Sequence, residues 1–118
     1  MMITRPLISV VDDDESVRES LPDLLREFGF EAQIFSSAEE FLKSKAVADT
    51  NCLLLDVAMP GMTGPDLQRE LKLREQSIPI VFITAQREAA VQGAVACLFK
   101  PFEPNDLLEA LNTALRVS

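Results

Sequence analysis

Five short apolar runs, separated by segments with helical spacing, constrain this chain more than any other feature. The third run, Cys52–Leu55, contains no polar residue, which is typical of a strand buried on both faces of a sheet. Because predicted strands alternate with predicted helices, the pattern indicates a parallel sheet with helices on both faces. The five predicted strands are Leu7–Val11, Phe30–Phe35, Cys52–Leu55, Ile80–Thr84 and Ala94–Phe99.

Helical patterns fill most of the intervals between the runs. Lys43–Asn51 is the exception and is predicted to be a polar connection. The absence of a linker or repeat predicts one domain over residues 1–118. The predicted helices are Ser16–Phe28 with Pro22 inside it, a short helix opened by a capping box of Ser37 and Glu40, Asp66–Arg74, and a last helix from Pro104 with a stripe of Leu107, Leu108, Leu111 and Leu115.

Composition excludes several classes of function. Hydrophobic residues make up 47% of the 118-residue chain, which is typical of a globular domain. The net charge of −8 and the lack of a basic stretch argue against nucleic-acid binding by this domain, and no apolar run is long enough to span a membrane. The chain has no His, and Cys52 and Cys97 are predicted to be buried, reduced thiols of a cytoplasmic protein.

Polar side chains stand at the ends of four predicted strands. They are the pair Asp12–Asp13, then Asp56, Thr84 and Lys100. A single strand-end carboxylate such as Asp56 is equally well explained as a turn cap, but the carboxyl ends of parallel strands meet at one crevice. Three converging carboxylates favour a cation with oxygen ligands, namely Mg²⁺, Ca²⁺ or Mn²⁺. With a lysine and a hydroxyl beside them, they indicate phosphoryl transfer onto a carboxylate.

Four fragments in this order, VVDDDESVR, LLLDVAMPGMTG, FITA and FKPF, resemble the receiver domain of response regulators in two-component systems. The resemblance covers essentially the whole chain. It implies a doubly wound, flavodoxin-like sheet of five strands in the order 2-1-3-4-5. DVAMPGMTG and SAEEFL are also similar to receivers that precede a helix-turn-helix DNA-binding domain.

The resemblance assigns roles to the aspartates that follow the first and third predicted strands. Asp56 matches the phospho-acceptor, and Asp12 and Asp13 match the pair that holds Mg²⁺. The backbone carbonyl of Ala58, two residues past the acceptor, matches the third protein ligand. Asp14 could compete for the metal, but the apolar run ends at Val11, so Asp14 is expected to cap the first helix.

The remaining motif positions concern the phosphoryl group. Thr84 matches the hydroxyl that bonds this group after transfer, and Lys100 matches the base that pairs with its oxygen. Ala85 fits the small residue expected beside Thr84, where a larger one would block access to Asp56, and the Lys100–Pro101 bond is expected to be cis, as in the family.

The resemblance also implies partners. These are a sensor histidine kinase or phosphotransfer protein, and an output domain or effector protein whose activity the receiver controls. A phosphorylation-dependent homodimer is a further expectation. The domain is expected to catalyse only its own phosphorylation and dephosphorylation, and so is not an enzyme acting on a separate substrate.

Two features depart from the family. Cys97 stands where the family has an aromatic switch residue, and Phe99, on the same strand face, is expected to supply that surface. The segment between Thr84 and Lys100 is short, with room for only about two helical turns. Glu88–Gln92 is therefore expected to form a shortened fourth helix, leaving the face of Gln86–Gly93, the fifth strand and the last helix open for association.

Three alternatives remain open on the sequence alone. A haloacid-dehalogenase-type phosphatase would have an aspartate at position 58, where this chain has Ala58. A flavin carrier would have a Ser/Thr/Gly-rich phosphate loop instead of VDDDES. The third alternative is a receiver-like interaction module that does not switch in the usual way, because of Cys97 and the short segment.

Overall fold

The computed structural model describes residues 5–85 and 93–117, which form a sheet with helices on both faces. The strands are β1 (Leu7–Val11), β2 (Glu31–Phe35), β3 (Cys52–Asp56), β4 (Ile80–Thr84) and β5 (Ala96–Phe99). The described helices are α1 (Glu15–Glu27), α2 (Ala38–Lys43), α3 (Ala46–Asp49), α4 (Gly64–Leu73) and α5 (Pro104–Val117).

All strand pairs are parallel, and the order is β2-β1-β3-β4-β5. The implied order and the doubly wound class are therefore confirmed. Val11 pairs with Leu55 on one side and with Phe35 on the other, and Asp56 pairs with Ile83. The carboxyl ends of the strands consequently share one edge of the sheet, which is where open α/β sheets bind ligands.

The core has two layers, one on each face of the sheet. Every residue of β3 and β4 is buried, as expected for central strands covered on both sides. One layer joins the sheet to α1 and α5 through Ile8, Val10, Leu25, Leu54, Ile83, Leu107 and Leu111. The other joins it to α2, α3 and α4 through Val11, Phe41, Val47, Leu53, Leu55, Leu67 and Phe82.

The outer helices follow their sequence patterns closely. α1 runs unbroken through Pro22 and buries Leu21 and Leu25. α5 begins at Pro104, as predicted, and its buried stripe is completed by alanines. Leu107, Ala110, Leu111 and Ala114 are buried, whereas Leu108 and Leu115 are only partly buried.

The prediction of a polar connection over Lys43–Asn51 is wrong, because the short helix α3 lies within it. Ala46 and Val47 are buried against the core. The Thr50 hydroxyl donates a hydrogen bond of 2.6 Å to the carbonyl of Ala46 and closes the turn. Two apolar residues in one turn are too few to show helical periodicity, so the sequence pattern missed this helix.

Helix starts show where local sequence signals succeed and fail. Ser37 caps α2 by accepting a hydrogen bond from Glu40 N, but the Glu40 carboxylate instead accepts one from the Ser36 hydroxyl, so half of the predicted box is present. A complete capping box opens α4, formed by Thr63 and Asp66. That helix therefore starts at Gly64, two residues before the predicted start.

The fifth predicted run begins later than expected, because β5 starts at Ala96 rather than Ala94. Cys52 is fully buried, but Cys97 is only half-buried, so the prediction of two buried thiols is wrong for Cys97; both are free cysteines.

The expected short helix over Glu88–Gln92 lies outside the described residues. Within residues 5–85 and 93–117, no helix has both the length and the apolar character that crossing a membrane requires.

Candidate functional site

Asp56 is the last residue of β3 and lies at the carboxyl edge of the sheet. Its side chain is buried at 6% exposure. The next residue continues the ladder, since Val57 N donates to Ile83 O at 3.0 Å and fixes the backbone where the strand ends. The sequence therefore places a carboxylate on a rigid strand end, oriented by the central pair of strands.

The acidic run after β1 divides into three positions with different surroundings. Asp12 is fully buried and its backbone N donates to Phe35 O, whereas Asp13 is exposed. Asp14 caps α1, since its Oδ1 accepts hydrogen bonds from the backbone N and the hydroxyl of Ser16. These bonds hold the pKa of Asp14 below its ordinary value. The predicted cap is thus present.

The carboxylates of Asp12, Asp13 and Asp56 converge, with one oxygen of each lying within 4.8 Å of the others. Asp12 Oδ1 accepts from Asp14 N at 2.8 Å. Asp12 Oδ2 is buried and accepts no hydrogen bond of good geometry from the described residues. A set of hard oxygen donors that includes such an atom fits a divalent cation of the Mg²⁺ type.

Lys100 follows β5 directly and reaches the same cluster, with its Nζ 2.9 Å from Asp12 Oδ2. The contact is an ion pair, because Coulomb attraction depends on distance more than on direction. Burial opposes the charge of Lys100, but the bond to Asp12 and the charges of Asp12 and Asp56 outweigh it, so the pKa of Lys100 is raised. The lysine is therefore a permanent cation at the carboxylates.

Burial, followed by the negative charge of Asp12, raises the pKa of Asp56 to about 7, although Lys100 acts in the opposite direction. The raised pKa means that the negative charge of Asp56 is unfavourable in this site, and that a bound cation would stabilise it. The arrangement can hold a cation, and it can bring a cation and an ammonium group to one nucleophilic carboxylate.

Thr84 ends β4 and is buried at 2% exposure. It pairs in register with Phe99, and Lys100 N donates to Thr84 O at 2.8 Å. Phe99 therefore lies beside Thr84 on the adjacent strand, where the aromatic surface is expected. Cys97 pairs with Phe82 and packs against the layer that faces α2 and α4, whereas Leu98 packs on the opposite layer.

Two further motif positions lie in the loops around the crevice. Ala58 is exposed and directly precedes Met59, which is buried at 7% exposure. Ala85 is exposed after Thr84, and the Lys100–Pro101 peptide bond is cis, as expected. The structure thus brings together the side chains of Asp12, Asp13, Asp56 and Lys100, and places Thr84 at the same edge of the sheet.

Sequence reasoning missed two residues that shape the site. Arg18 of α1 donates from Nη1 to the backbone carbonyl of Asp12 at 3.0 Å and ties the helix to the acidic run. Gly64 lies so close to the strand end that a Cβ there would be 2.4 Å from Asp56 O. The position of Arg18, one turn after the Asp14 cap, could have indicated a contact with the acidic run. Nothing in the sequence indicates that Gly64, a glycine within a turn-rich loop, lies close to Asp56 O.

Comparison with known proteins gives one consistent result. The family described as response regulator receiver domain matches residues 8–112. The response regulator protein TmoT of Ectopseudomonas mendocina is 41% identical over 118 residues, covering 95% of this chain and 54% of that protein. The chain therefore spans about half the length of the curated relatives it matches.

Solved structures show the same fold. The response regulator StyR is 43% identical with a TM-score of 0.89, covering 97% of this chain and 61% of the StyR chain. The response regulator TrrA of Thermotoga maritima, solved in complex with Mg²⁺ and BeF, is 28% identical with a TM-score of 0.83, covering 93% of this chain and 99% of the TrrA chain.

Proposed function

Because the chain belongs to the response regulator receiver domain family, we propose that Asp56 accepts a phosphoryl group from the phosphohistidine of a sensor histidine kinase or a phosphotransfer protein. The convergence of Asp12, Asp13 and Asp56 within 4.8 Å carries this proposal. A carboxylate oxygen of Asp56 attacks phosphorus as the P–N bond breaks. The departing imidazole nitrogen keeps the bonding pair, and an acyl phosphate forms.

Asp12, Asp13 and Asp56 would hold Mg²⁺, with the backbone carbonyl of Ala58 as a further ligand. The ion would supply positive charge to the phosphoryl oxygens. Asp12 contributes a buried oxygen, and Asp13 contributes one that is open to solvent. The TrrA structure with Mg²⁺ and BeF supports this choice of cation for the family.

Lys100 and Thr84 act on the phosphoryl group itself. Lys100 Nζ, which contacts Asp12 Oδ2, exchanges part of this contact for a phosphoryl oxygen and neutralises its developing charge. After transfer, the Thr84 hydroxyl donates a hydrogen bond to an oxygen of the same phosphoryl group. The domain promotes only its own phosphorylation and dephosphorylation.

The test is mass spectrometry after treatment with acetyl phosphate. We expect one phosphoryl adduct in the wild type with Mg²⁺, and none in Asp56→Asn. Asp49→Asn, which changes an exposed aspartate of α3, is the matched control and should be modified normally. An adduct of equal yield in Asp56→Asn, or without metal, would contradict the assignment.

Phosphorylation controls an output domain or effector by drawing Thr84 toward Asp56. Phe99, beside Thr84 in the sheet, repacks with it, and Cys97 lies on the same strand face. The relatives are about twice the length of this chain, and the resemblance of DVAMPGMTG and SAEEFL favours a DNA-binding output domain. Location in the cytoplasm, with no nucleic-acid or membrane contact by this domain, belongs to the same proposal.

Association is proposed to use the face of Gln86–Gly93, β5 and α5, either with a second copy or with the output partner. A groove of about 440 Å³ between β5 and α5 is lined in part by Cys97, Phe99 and Phe102. Phe99→Ser should reduce association with beryllofluoride and Mg²⁺ present, measured by analytical ultracentrifugation. Unchanged association would exclude this face.

The non-switching interaction module is the second candidate, suggested by the short segment between Thr84 and Lys100 and by Cys97 in place of the family's aromatic residue. The two candidates differ in one measurement. A switching receiver shifts the backbone amide resonances around Thr84 and Phe99 when beryllofluoride and Mg²⁺ are added, whereas a static module shifts only those around Asp56.

A further inference from the structure

The loop that follows Asp56, residues 57–63, carries the backbone carbonyl of Ala58, which the proposed function assigns to the metal. Ala58 itself is exposed, and the loop has no regular secondary structure. A ligand from a loop binds a cation well only when neighbouring contacts hold that loop in place. The contacts of residues 57–63 therefore bear directly on metal affinity.

The inner part of this loop is fixed by packing. Met59 is buried at 7% exposure in the same apolar cluster as Ala38 and Phe41 of α2. Gly64 N donates to Val57 O at 3.1 Å and returns the chain to the strand end. These contacts hold the two ends of the loop and its middle. On the outer arm, Gly61 and Met62, the Met62 side chain is partly buried against the same cluster.

The outer arm contacts the carboxylate of Glu39, a residue of the first turn of α2. Glu39 Oε2 accepts a hydrogen bond of 3.3 Å from Met62 N, across 23 residues of sequence. Gly61 has a φ of +75°, and a Cβ at that position would lie 2.9 Å from the same oxygen. The loop backbone therefore closes around Glu39 Oε2.

We propose that Glu39 is a positioning residue for the metal site. It holds the outer arm of loop 57–63 against α2 and so fixes the Ala58 carbonyl, without touching the ion. The inference rests on the proposed function. The neighbouring Glu40 is not in this position, because its carboxylate accepts a hydrogen bond of 2.7 Å from the Ser36 hydroxyl.

The pair of neighbouring glutamates supplies a matched experiment. Isothermal titration calorimetry with Mg²⁺ is applied to the wild type, Glu39→Ala, Glu39→Gln and Glu40→Ala. We expect Glu39→Ala to bind Mg²⁺ roughly three- to tenfold more weakly, the effect of one lost hydrogen bond. Glu40→Ala removes the same charge from the same turn and should stay within about twofold of the wild type, since it leaves the loop contact intact.

Two readouts separate positioning from charge. Glu39→Gln keeps an oxygen acceptor and should restore most of the affinity. Hydrogen exchange of the Met62 amide, measured without metal, should be faster in Glu39→Ala than in Glu40→Ala, while the thermal stability of both stays near that of the wild type.

The outcomes are distinct. Equal loss of Mg²⁺ affinity in Glu39→Ala and Glu40→Ala would overturn the inference alone, as would a Glu39→Gln variant as weak as Glu39→Ala. Unchanged exchange of the Met62 amide in Glu39→Ala would also overturn it. A wild type that does not bind Mg²⁺ would overturn the proposed function and this inference with it.

Discussion

Asp56 is nearly buried beside another carboxylate, and its pKa of about 7 follows from burial and from the charge of Asp12. In the metal-free domain at neutral pH, Asp56 is therefore a mixture of carboxylic acid and carboxylate. Only the carboxylate attacks phosphorus, so cation binding and nucleophile formation are linked at this residue.

The pH dependence of folding stability should report this linkage. The ordinary pKa of an aspartate is 3.8, so the folded state binds more protons at Asp56 than the unfolded state between about pH 4 and pH 7. The contribution of Asp56 to stability therefore falls as the pH rises through this window. Asp56→Asn should raise the free energy of unfolding at pH 8 by roughly 2 kcal/mol, and by far less at pH 4.5.

Urea denaturation without metal at both pH values measures this difference. Asp49→Asn on the exposed side of α3 is the control and should show little change at either pH. A gain in Asp56→Asn that is the same at pH 4.5 and pH 8 would contradict the protonation argument.

The adjacent residues Asp13 and Asp14 should have different functions, Asp13 in metal binding and Asp14 in the stability of the fold. Asp13→Ala is expected to weaken Mg²⁺ binding at least tenfold, because Asp13 belongs to the convergent set. Asp14→Ala should leave most of the affinity but lower the melting temperature by roughly 4 °C, through loss of the α1 cap. Calorimetry and thermal denaturation of both variants decide; equal losses of affinity would mean that Asp14 also binds the ion.

Single residues were predictable where an apolar run ended next to them. Val11 ends β1, so the order of the acidic run placed Asp12 and Asp13 at the site and Asp14 at the helix. Glu39 and Gly64 were not predictable, because each lies against a backbone group that only the folded chain brings near.

At the level of elements, the junction between β3 and α4 joins the strand that carries Asp56 to a helix through one loop. Thr63 accepts from Asp66 N while the Asp66 carboxylate accepts from Thr63 N, and the helix that they open begins beside the backbone of Asp56. The start of α4 and the end of β3 thus form one structural unit.

Thr63→Ala should destabilise the domain by about 1 kcal/mol, the usual effect of removing an N-cap. Thr113→Ala is the control, because that exposed hydroxyl bonds only the Glu109 carbonyl of its own helix among the described contacts. It should change stability by less than about 0.5 kcal/mol. Urea denaturation measures both, and equal effects would argue against the cap.

Elements were predicted best where they were long and periodic. α1 and α5 follow their apolar stripes, whereas α3 was missed because its one turn carries only Ala46 and Val47 toward the core. The start of α4 was predicted late because Gly64 and Pro65 suggest a loop until the Thr63 cap is recognised.

For the whole molecule, the net charge of −8 and the acidic crevice predict that Mg²⁺ stabilises the fold. A ligand that binds only the folded state adds about 1.4 kcal/mol when its concentration is ten times its dissociation constant. For a chain of this size, the melting temperature should rise by roughly 5 °C. Differential scanning calorimetry measures the shift, and Asp13→Ala should abolish most of it; an equal rise in that variant would assign the effect to general charge screening.

The topology of the whole sheet could be inferred because every predicted strand was parallel and the resemblance supplied the order. The proposed signal route could not, because it would depend on the outer surface of the domain rather than on its core. Sequence periodicity describes which residues face a core, and it contains no information about which outer surface a partner covers.

The three consecutive aspartates after β1 have a consequence for how such a sequence changes over generations. Deletion of any one codon among Asp12, Asp13 and Asp14 yields the same protein, in which two aspartates still follow Val11. The proposed metal-binding pair is thereby retained, and the loss falls on the start of α1, where Glu15 takes the place of the Asp14 cap. Because the three residues are identical, loss of any one of them affects the stability of α1 and not the proposed metal site.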